Sequence, residues 1–155
     1  MRAAGFPEIA ELLPQSGGMR LLARVLSHEP ARTVCEVEVA ASALFAEPDG
    51  SVPAFVALEY MAQCAAAHGG LLARAAGAPV RPGLFLGARG VALRVDAFRP
   101  GEILRVEARH RGGEAGLVVF DCAVRSAAGR EPLVEGRLNV YTLVTGAESA
   151  GGSSG

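Results

Sequence analysis

The sequence predicts an α+β domain in which an antiparallel sheet of about six strands wraps around one long central helix. Three observations support this prediction. One stretch is rich in alanine and leucine over a helical length, and its apolar residues cover most of the helix circumference. Much of the remaining chain alternates apolar with polar residues, the pattern of half-buried strands.

The predicted helix spans residues 52–77. Pro53 suits a first helical turn, and Gly77 followed by Pro79 marks the end. The apolar positions around its circumference are Phe55, Val56, Leu58, Met61, Ala62, Ala65 and Ala66. A helix that is apolar on all sides must be surrounded by other elements, so the rest of the chain has to enclose it.

The enclosing sheet is predicted from segments in which every second residue is apolar. This alternation is clear over residues 35–39, 104–109, 118–125 and 134–140, and weaker over 19–27 and 84–93. In chain order the segments give two strands, the helix and four more strands. That order suits an antiparallel sheet around one helix.

A chain of 155 residues is long enough for one domain with a full core. We expect the domain over residues 1–145 and a flexible tail over 146–155, where small and polar residues bury too little surface to become ordered. There are 15 basic and 16 acidic side chains. This balance predicts no attraction to nucleic acid or to an anionic membrane.

Cysteine usage and the start of the chain favour a cytoplasmic protein. The three cysteines form no CxxC or Cys/His cluster, and an odd number is a poor disulfide framework. Pro7 and Glu8 interrupt the apolar run that an export signal needs. Residues 51–73 are weakly charged, but their alanines are too mildly apolar to make a good membrane span.

Glu59 is the first candidate for chemistry, because no other charged residue lies between Ser51 and Ala73. A carboxylate on an enclosed helix is unfavourable unless it is paired or protonated, and a positioned carboxyl group can act as a general acid or base. The structural alternative is that Glu59 lies on the one polar strip of the helix, at a dimer seam or beside an arginine. Gln63, at i+4 on the same face, can orient the carboxylate or bind a substrate oxygen.

Two further features predict substrate contacts. The free backbone N–H groups near Ala54 and Phe55, at the helix start, can hold a carbonyl oxygen that gains negative charge. Gly87 predicts a β-bulge or a close approach of the backbone to a ligand, although a strand glycine is often only a bend.

The segment VPAFVALEYMAQ resembles the central-helix signature of the hot-dog 3-hydroxyacyl-acyl carrier protein dehydratases, with Pro53, Glu59, Ala62 and Gln63 at the matching positions. LLPQSGGMRLLARVL resembles the N-terminal motif and first strand of that family. GLFLGARG and GRLNVYTL resemble later strands of the branch linked to aryl polyene pigment clusters. The resemblance covers about residues 6–143.

The resemblance implies a hot-dog fold and the reversible loss of water from a 3-hydroxyacyl thioester. It makes Glu59 the acid that protonates the leaving hydroxyl and the Phe55 N–H the donor to the carbonyl oxygen. It implies an acyl carrier protein bearing a phosphopantetheine-linked acyl chain as partner, and a homodimer or a heterodimer with another hot-dog subunit. Together with the residue patterns above, it gives Ala54, Phe55, Gln63, Phe45, Gln15 and Gly87 as the predicted substrate contacts.

The sequence departs from the family where the catalytic histidine is expected. The two positions at which relatives carry histidine are occupied here by Phe45 and Gln15. We interpret His28 and His110 as solvated strand ends, and His68 as a residue that caps a polar contact near the glycine pair 69–70.

Three functions remain open. The first is a dehydratase, the second a catalytically degenerate subunit that partners another dehydratase, and the third a thioesterase in which the helical carboxylate activates water. The sequence contains no GxSxG, P-loop or dinucleotide motif and no zinc-ligand spacing. We therefore predict no cofactor and no metal.

Overall fold

The computed structural model describes residues 5–14, 17–40, 44–81 and 83–142. Two helices, α1 and α2, cover Ile9–Leu12 and Ala57–Ala75. Strands β1 to β8 cover Arg24–Glu29, Arg32–Glu38, Val52–Pro53, Gly83–Leu93, Ala97–Phe98, Ile103–Gly112, Leu117–Ser126 and Pro132–Thr142. The predicted tail, residues 146–155, lies outside the described residues.

Six strands form one antiparallel sheet in the order β1-β2-β6-β7-β8-β4, which confirms the predicted sheet. Sequence alternation did not predict β3 and β5, which pair with each other in a separate two-stranded sheet. Each has two residues, too few for a period of two to be visible.

The predicted start of the long helix was wrong by several residues. Val52 is buried and pairs with Phe98, so residues 52–53 are extended, and Pro53 precedes a short 3₁₀ turn, Ala54–Val56, that leads into α2. Gly77 lies just beyond the helix end, as predicted. Its φ of 66° is the left-handed conformation that commonly terminates helices.

The concave face of the sheet packs against α2, as the apolar circumference of the helix predicted. Along β6, Leu104, Val106 and Ala108 are all fully buried, and the residues between them face outward or are only partly covered. Met61 and Cys64 of α2 are also fully buried. Within the described residues, no helix is long and apolar enough to cross a bilayer.

An ion-pair cluster on the convex face of the sheet is centred on Glu107. Its carboxylate contacts Arg32 and Arg109, and Oε1 lies 3.3 Å from Arg125 Nη1. Burial acts to raise the pKa of Glu107, but hydrogen bonds and attraction from Arg32, helped by Arg125 and Arg109, hold it below its ordinary value. The carboxylate form is therefore the one that stabilises the fold.

A Glu107→Gln variant is expected to lose about 1–2 kcal/mol of unfolding free energy at pH 7, a modest value because the arginines are partly exposed. A carboxyl group whose pKa is lowered by folding stabilises the native state at pH values above its pKa in the unfolded chain. This stabilisation is lost as the pH falls through its pKa in the folded protein. The difference from the wild type should therefore shrink as the pH falls below about 4. Urea unfolding at several pH values measures this, with Glu131→Gln, at an exposed position, as the control.

The two edges of the sheet differ in character. Edge strand β1 presents the exposed charges Arg24 and Glu29. Edge strand β4 instead exposes five large apolar side chains, each 39–55% accessible: Leu84, Phe85, Leu86, Val91 and Leu93. An exposed apolar edge favours pairing with another chain, whereas a charged edge opposes it.

Candidate active site

Glu59 lies in the first turn of α2, is partly buried, and lines a cavity of about 600 Å³. The cavity lies between α2 and strands β4, β7 and β8, to which Phe85, Val118 and Val140 belong. The helix side of the cavity carries Ala62, Ala65 and Ala66. Because alanine side chains are short, they leave space beside the helix for an apolar ligand.

Gln63 anchors the Glu59 carboxylate from one helical turn away. Its Nε2 donates to Glu59 Oε2 at 2.9 Å and to the Met19 carbonyl at 2.7 Å, while its Oε1 accepts from the Leu21 N–H at 2.9 Å. A carbonyl can only accept and an N–H can only donate, so these contacts define the amide orientation. Gln63 is fully buried and holds Glu59 Oε2 in one position.

The second carboxylate oxygen of Glu59 is not engaged by the described part of the chain. Oε1 makes no hydrogen bond there, and Glu59 forms no ion pair with any arginine of that part. Among the described residues, one oxygen of this cavity-lining carboxylate is therefore held, while the other has no hydrogen-bond partner. This is the geometry required of a carboxyl group that exchanges a proton with a bound substrate.

The two predicted N–H donors at the helix start differ in availability. The Ala54 N–H donates to the Asp96 carbonyl at 2.9 Å, so this donor is already occupied. The Phe55 N–H makes no hydrogen bond to another element within the described residues, and the Phe55 side chain is 61% exposed. Of the two, Phe55 is the one whose backbone N–H has no partner in another described element.

Within the described part of the chain, the cavity lining includes none of the predicted substrate contacts Ala54, Phe55, Gln63, Phe45 and Gly87. Phe45 is in a turn and 39% exposed, and Gly87 lies in an irregularity of the β4–β8 pairing, and neither lines the cavity. Phe85, two residues before Gly87, does line it. Gln15 lies outside the described residues.

Three histidines that the sequence interpretation treated separately form one cluster inside the fold. The ring centroid of His68 lies 5.2 Å from that of His28 and 6.2 Å from that of His110, and 5.8 Å from the ring of Phe120. Thr33 Oγ1 lies 2.8 Å from Nδ1 of both His28 and His68. The interpretation of His68 as a cap near the glycine pair was wrong, because its ring is buried and pairs with Thr33. His28 and His110 lie near strand ends, as predicted, but they are half-buried and pack against His68 and are not simply solvated.

One part of this cluster was visible in the sequence. His110 continues the alternation of Leu104, Val106 and Ala108, so the period of two places it on the inner face. His28 lies opposite Thr33, beyond a register shift between Val25 and Ser27. Such a bulge changes which residues face inward, and no local pattern predicted it.

A Gln63→Leu variant is expected to slow, by about ten- to a hundredfold, any turnover in which the Glu59 carboxyl group takes part, because a misplacement of about 1 Å of a reacting group costs that much. It is also expected to lose about 2–4 kcal/mol of unfolding free energy, since the Met19 carbonyl and the Leu21 N–H lose their partners. Turnover and urea unfolding measure the two effects. An unfolding free energy equal to that of the wild type would contradict these hydrogen bonds.

An antiparallel sheet wrapped around one long helix is the hot-dog fold, and here the helix carries a carboxylate and a carboxamide one turn apart beside a cavity. The family model of the ApeP dehydratases matches residues 7–149, so the chain belongs to the ApeP dehydratase family. This confirms the family resemblance found in the sequence. No curated protein sequence matches the chain.

Solved structures share this fold. A chain of the dehydratase heterocomplex ApeI:P from Xenorhabdus doucetiae is 26% identical, with a TM-score of 0.83 over 90% of this chain and 93% of that chain. A hypothetical thioesterase with coenzyme A from Streptococcus pneumoniae is 12% identical, with a TM-score of 0.60 over 77% of this chain and 84% of that chain. AziG from S. sahachiroi is 18% identical, with a TM-score of 0.60 over 79% of this chain and 91% of that chain. At these identities the last two show the fold alone.

Proposed function

We propose that this chain is one subunit of a two-subunit hot-dog dehydratase that reversibly removes water from a 3-hydroxyacyl thioester carried on an acyl carrier protein. The observation that supports this most directly is the Glu59 carboxylate, which lines the cavity, is anchored by Gln63 on one oxygen and has no hydrogen-bond partner among the described residues on the other. The pathway is fatty acid, polyketide or aryl polyene-type biosynthesis in the cytoplasm. No cofactor is needed for this reaction.

The reaction requires two proton transfers. A base takes the proton from C2, the electron pair forms the C2–C3 double bond, and the C3–O bond breaks as the hydroxyl takes a proton from an acid and leaves as water. Glu59 is the acid. The Phe55 N–H supports the carbonyl oxygen, on which negative charge accumulates as the C2 proton departs.

The base comes from a second hot-dog subunit. Neither family histidine position is histidine in this chain, and His68 lies nine residues beyond Glu59, about 13 Å along the helix axis. That separation is too great for both groups to act on adjacent carbons. The exposed apolar edge of β4 favours assembly with another chain, and a similar chain belongs to the ApeI:P heterocomplex.

A degenerate subunit that only supports its partner is the second candidate, because it too accounts for the missing histidines. The two candidates differ in whether Glu59 takes part in turnover. The thioesterase function is not favoured by any contact described in this cavity, because the similarity of this chain to the hypothetical thioesterase rests on the fold alone.

The test is to incubate a 3-hydroxyacyl-acyl carrier protein, and separately its 2-enoyl counterpart, with this chain alone and with the hot-dog subunit that co-purifies with it. Mass spectrometry follows the gain or loss of one water. We expect interconversion with the two subunits together and little with this chain alone. Release of free acid would identify a thioesterase, and an unreacted thioester with the assembled pair would refute the proposal.

A further inference from the structure

The apolar edge strand β4 carries a single charged residue, Arg89, whose side chain is exposed. Arg89 lies directly opposite Arg137 of β8, and Arg137 lies opposite Asp121 of β7. Side chains at directly opposite positions of neighbouring strands share one face of the sheet and are close enough to interact. Two arginines therefore face each other at the edge of the convex face, which is unfavourable unless a carboxylate lies beside them.

The carboxylates near Arg89 are already paired with other arginines. A depression of about 580 Å³ beside Arg89 contains two of them, Asp121 and Glu135. Asp121 Oδ1 accepts a hydrogen bond from Arg137 Nε at 3.0 Å, its other oxygen is engaged by an arginine of β6, and Glu135 is held by Arg94. The Arg89 side chain forms no ion pair or hydrogen bond with the described part of the chain.

Exposure alone gives Arg89 no role, because solvated arginines are common on protein surfaces. Its position distinguishes it, since the strand exposes large apolar side chains on either side of it, Leu86 at 55% and Val91 at 39%. An apolar edge of this kind favours burial against another chain. A strand that covers β4 therefore meets an unpaired cation, and a carboxylate on that strand offsets the cost of removing the cation from water.

Pairing of β4 with a second copy of itself leaves Arg89 without a carboxylate. A symmetric antiparallel pairing about Ala88, the midpoint of Gly83–Leu93, sets Arg89 opposite the position of Gly87 in the other copy. The two Arg89 side chains are then diagonal neighbours on one face, with Cα atoms roughly 7–8 Å apart. In no register does Arg89 face a carboxylate of the other strand, because β4 contains no acidic residue. The edge therefore disfavours a second copy of this chain.

We propose that Arg89 determines partner choice: it pairs with a carboxylate on the edge strand of a different hot-dog subunit and opposes assembly of this chain with its own copy. The inference rests on the proposed function in taking the partner to be a second hot-dog subunit that adds to β4. One cation then has two effects of opposite sign, attraction of an acidic edge and repulsion of a second β4 edge. Charged groups give specificity at interfaces through such opposite effects on right and wrong partners.

A charge swap within this chain tests the repulsion without the partner and without substrate. The full-length Arg89→Glu chain is mixed with the wild-type chain, and sedimentation velocity measures association of the mixture and of each chain alone. In the mixed pair the introduced glutamate lies diagonal to an arginine. We therefore expect the mixture to associate about tenfold more tightly than either chain alone, with a smaller gain at high salt. Arg130→Glu, the same change at an exposed position outside β4, is the matched control and should give no such gain.

The second measurement is the affinity for the hot-dog subunit that co-purifies with this chain, by calorimetry at several salt concentrations. Arg89→Gln should weaken this complex about tenfold and flatten its salt dependence, while it strengthens self-association of the chain. A merely structural role of Arg89 would weaken both. A mixture that associates no better than its components, or a complex indifferent to Arg89→Gln, would overturn the proposal. A charge-dependent partner preference in a complex that leaves the thioester unreacted would uphold it while refuting the proposed reaction.

Discussion

Replacement of Glu59 by glutamine is expected to lower the rate of water removal by the assembled dehydratase by about 10²–10⁴-fold, the usual contribution of a positioned acid or base. The substitution preserves the size of the side chain, and its amide oxygen still accepts the hydrogen bond from Gln63 Nε2. It removes the acidic proton, and with it the ability to take on a negative charge. The loss should therefore fall on turnover, with little change in stability or assembly.

The assay is single-turnover conversion of a 3-hydroxyacyl-acyl carrier protein by the two subunits together. Glu131→Gln, the same chemical change at an exposed position outside the cavity, serves as the matched control and should retain full activity. Wild-type turnover by the Glu59→Gln complex would show that this chain is the degenerate partner. In that case the catalytic carboxylate belongs to the other subunit.

Introduction of a charge on the apolar edge is the second change with a large expected effect. Leu86 is 55% exposed on β4, and a Leu86→Glu variant should fail to assemble, because a charge on an edge strand opposes pairing. Activity should fall at least about a hundredfold, since the site then loses the partner's base. Light scattering after size exclusion measures the mass of the assembly, and the dehydratase assay measures its activity.

The opposite edge provides the control. Ser27→Glu places the same charge on β1, which already carries exposed charges, and should leave the mass of the assembly unchanged. An assembly of wild-type mass formed by Leu86→Glu would mean that the subunits meet at another surface. Loss of assembly in the Ser27→Glu variant would point to the β1 edge instead.

The pairing of Glu59 with Gln63 shows what local spacing can predict. Residues at i and i+4 lie on one face of any helix, so the contact followed from the sequence once the helix was recognised. The same spacing did not show that Gln63 also holds Met19 and Leu21, because these residues lie 44 and 42 positions earlier in the chain. The orientation of the amide, and hence of Glu59, depends on those distant partners.

The histidines show where the sequence argument failed. His110 could have been placed inside from the alternation of β6, whereas His28 required knowledge of the bulge in β1. The predicted start of α2 was wrong for a similar reason. Val52 and Pro53 have a helical context in sequence, but pairing with β5 holds them extended.

The sequence by itself determined the number of long strands, their order along the chain relative to the one long helix, and the presence of a carboxylate and a carboxamide on one helical face. Periods of 2 and 3.6 arise between near neighbours in the chain, so the sequence displays them directly. Only the tertiary structure decided that three histidines and a threonine meet beside the cavity, that one N–H at the helix start is already occupied, and that β4 is the apolar edge. These outcomes depend on strand register, bulges and edge position, which are set by contacts between residues far apart in the chain.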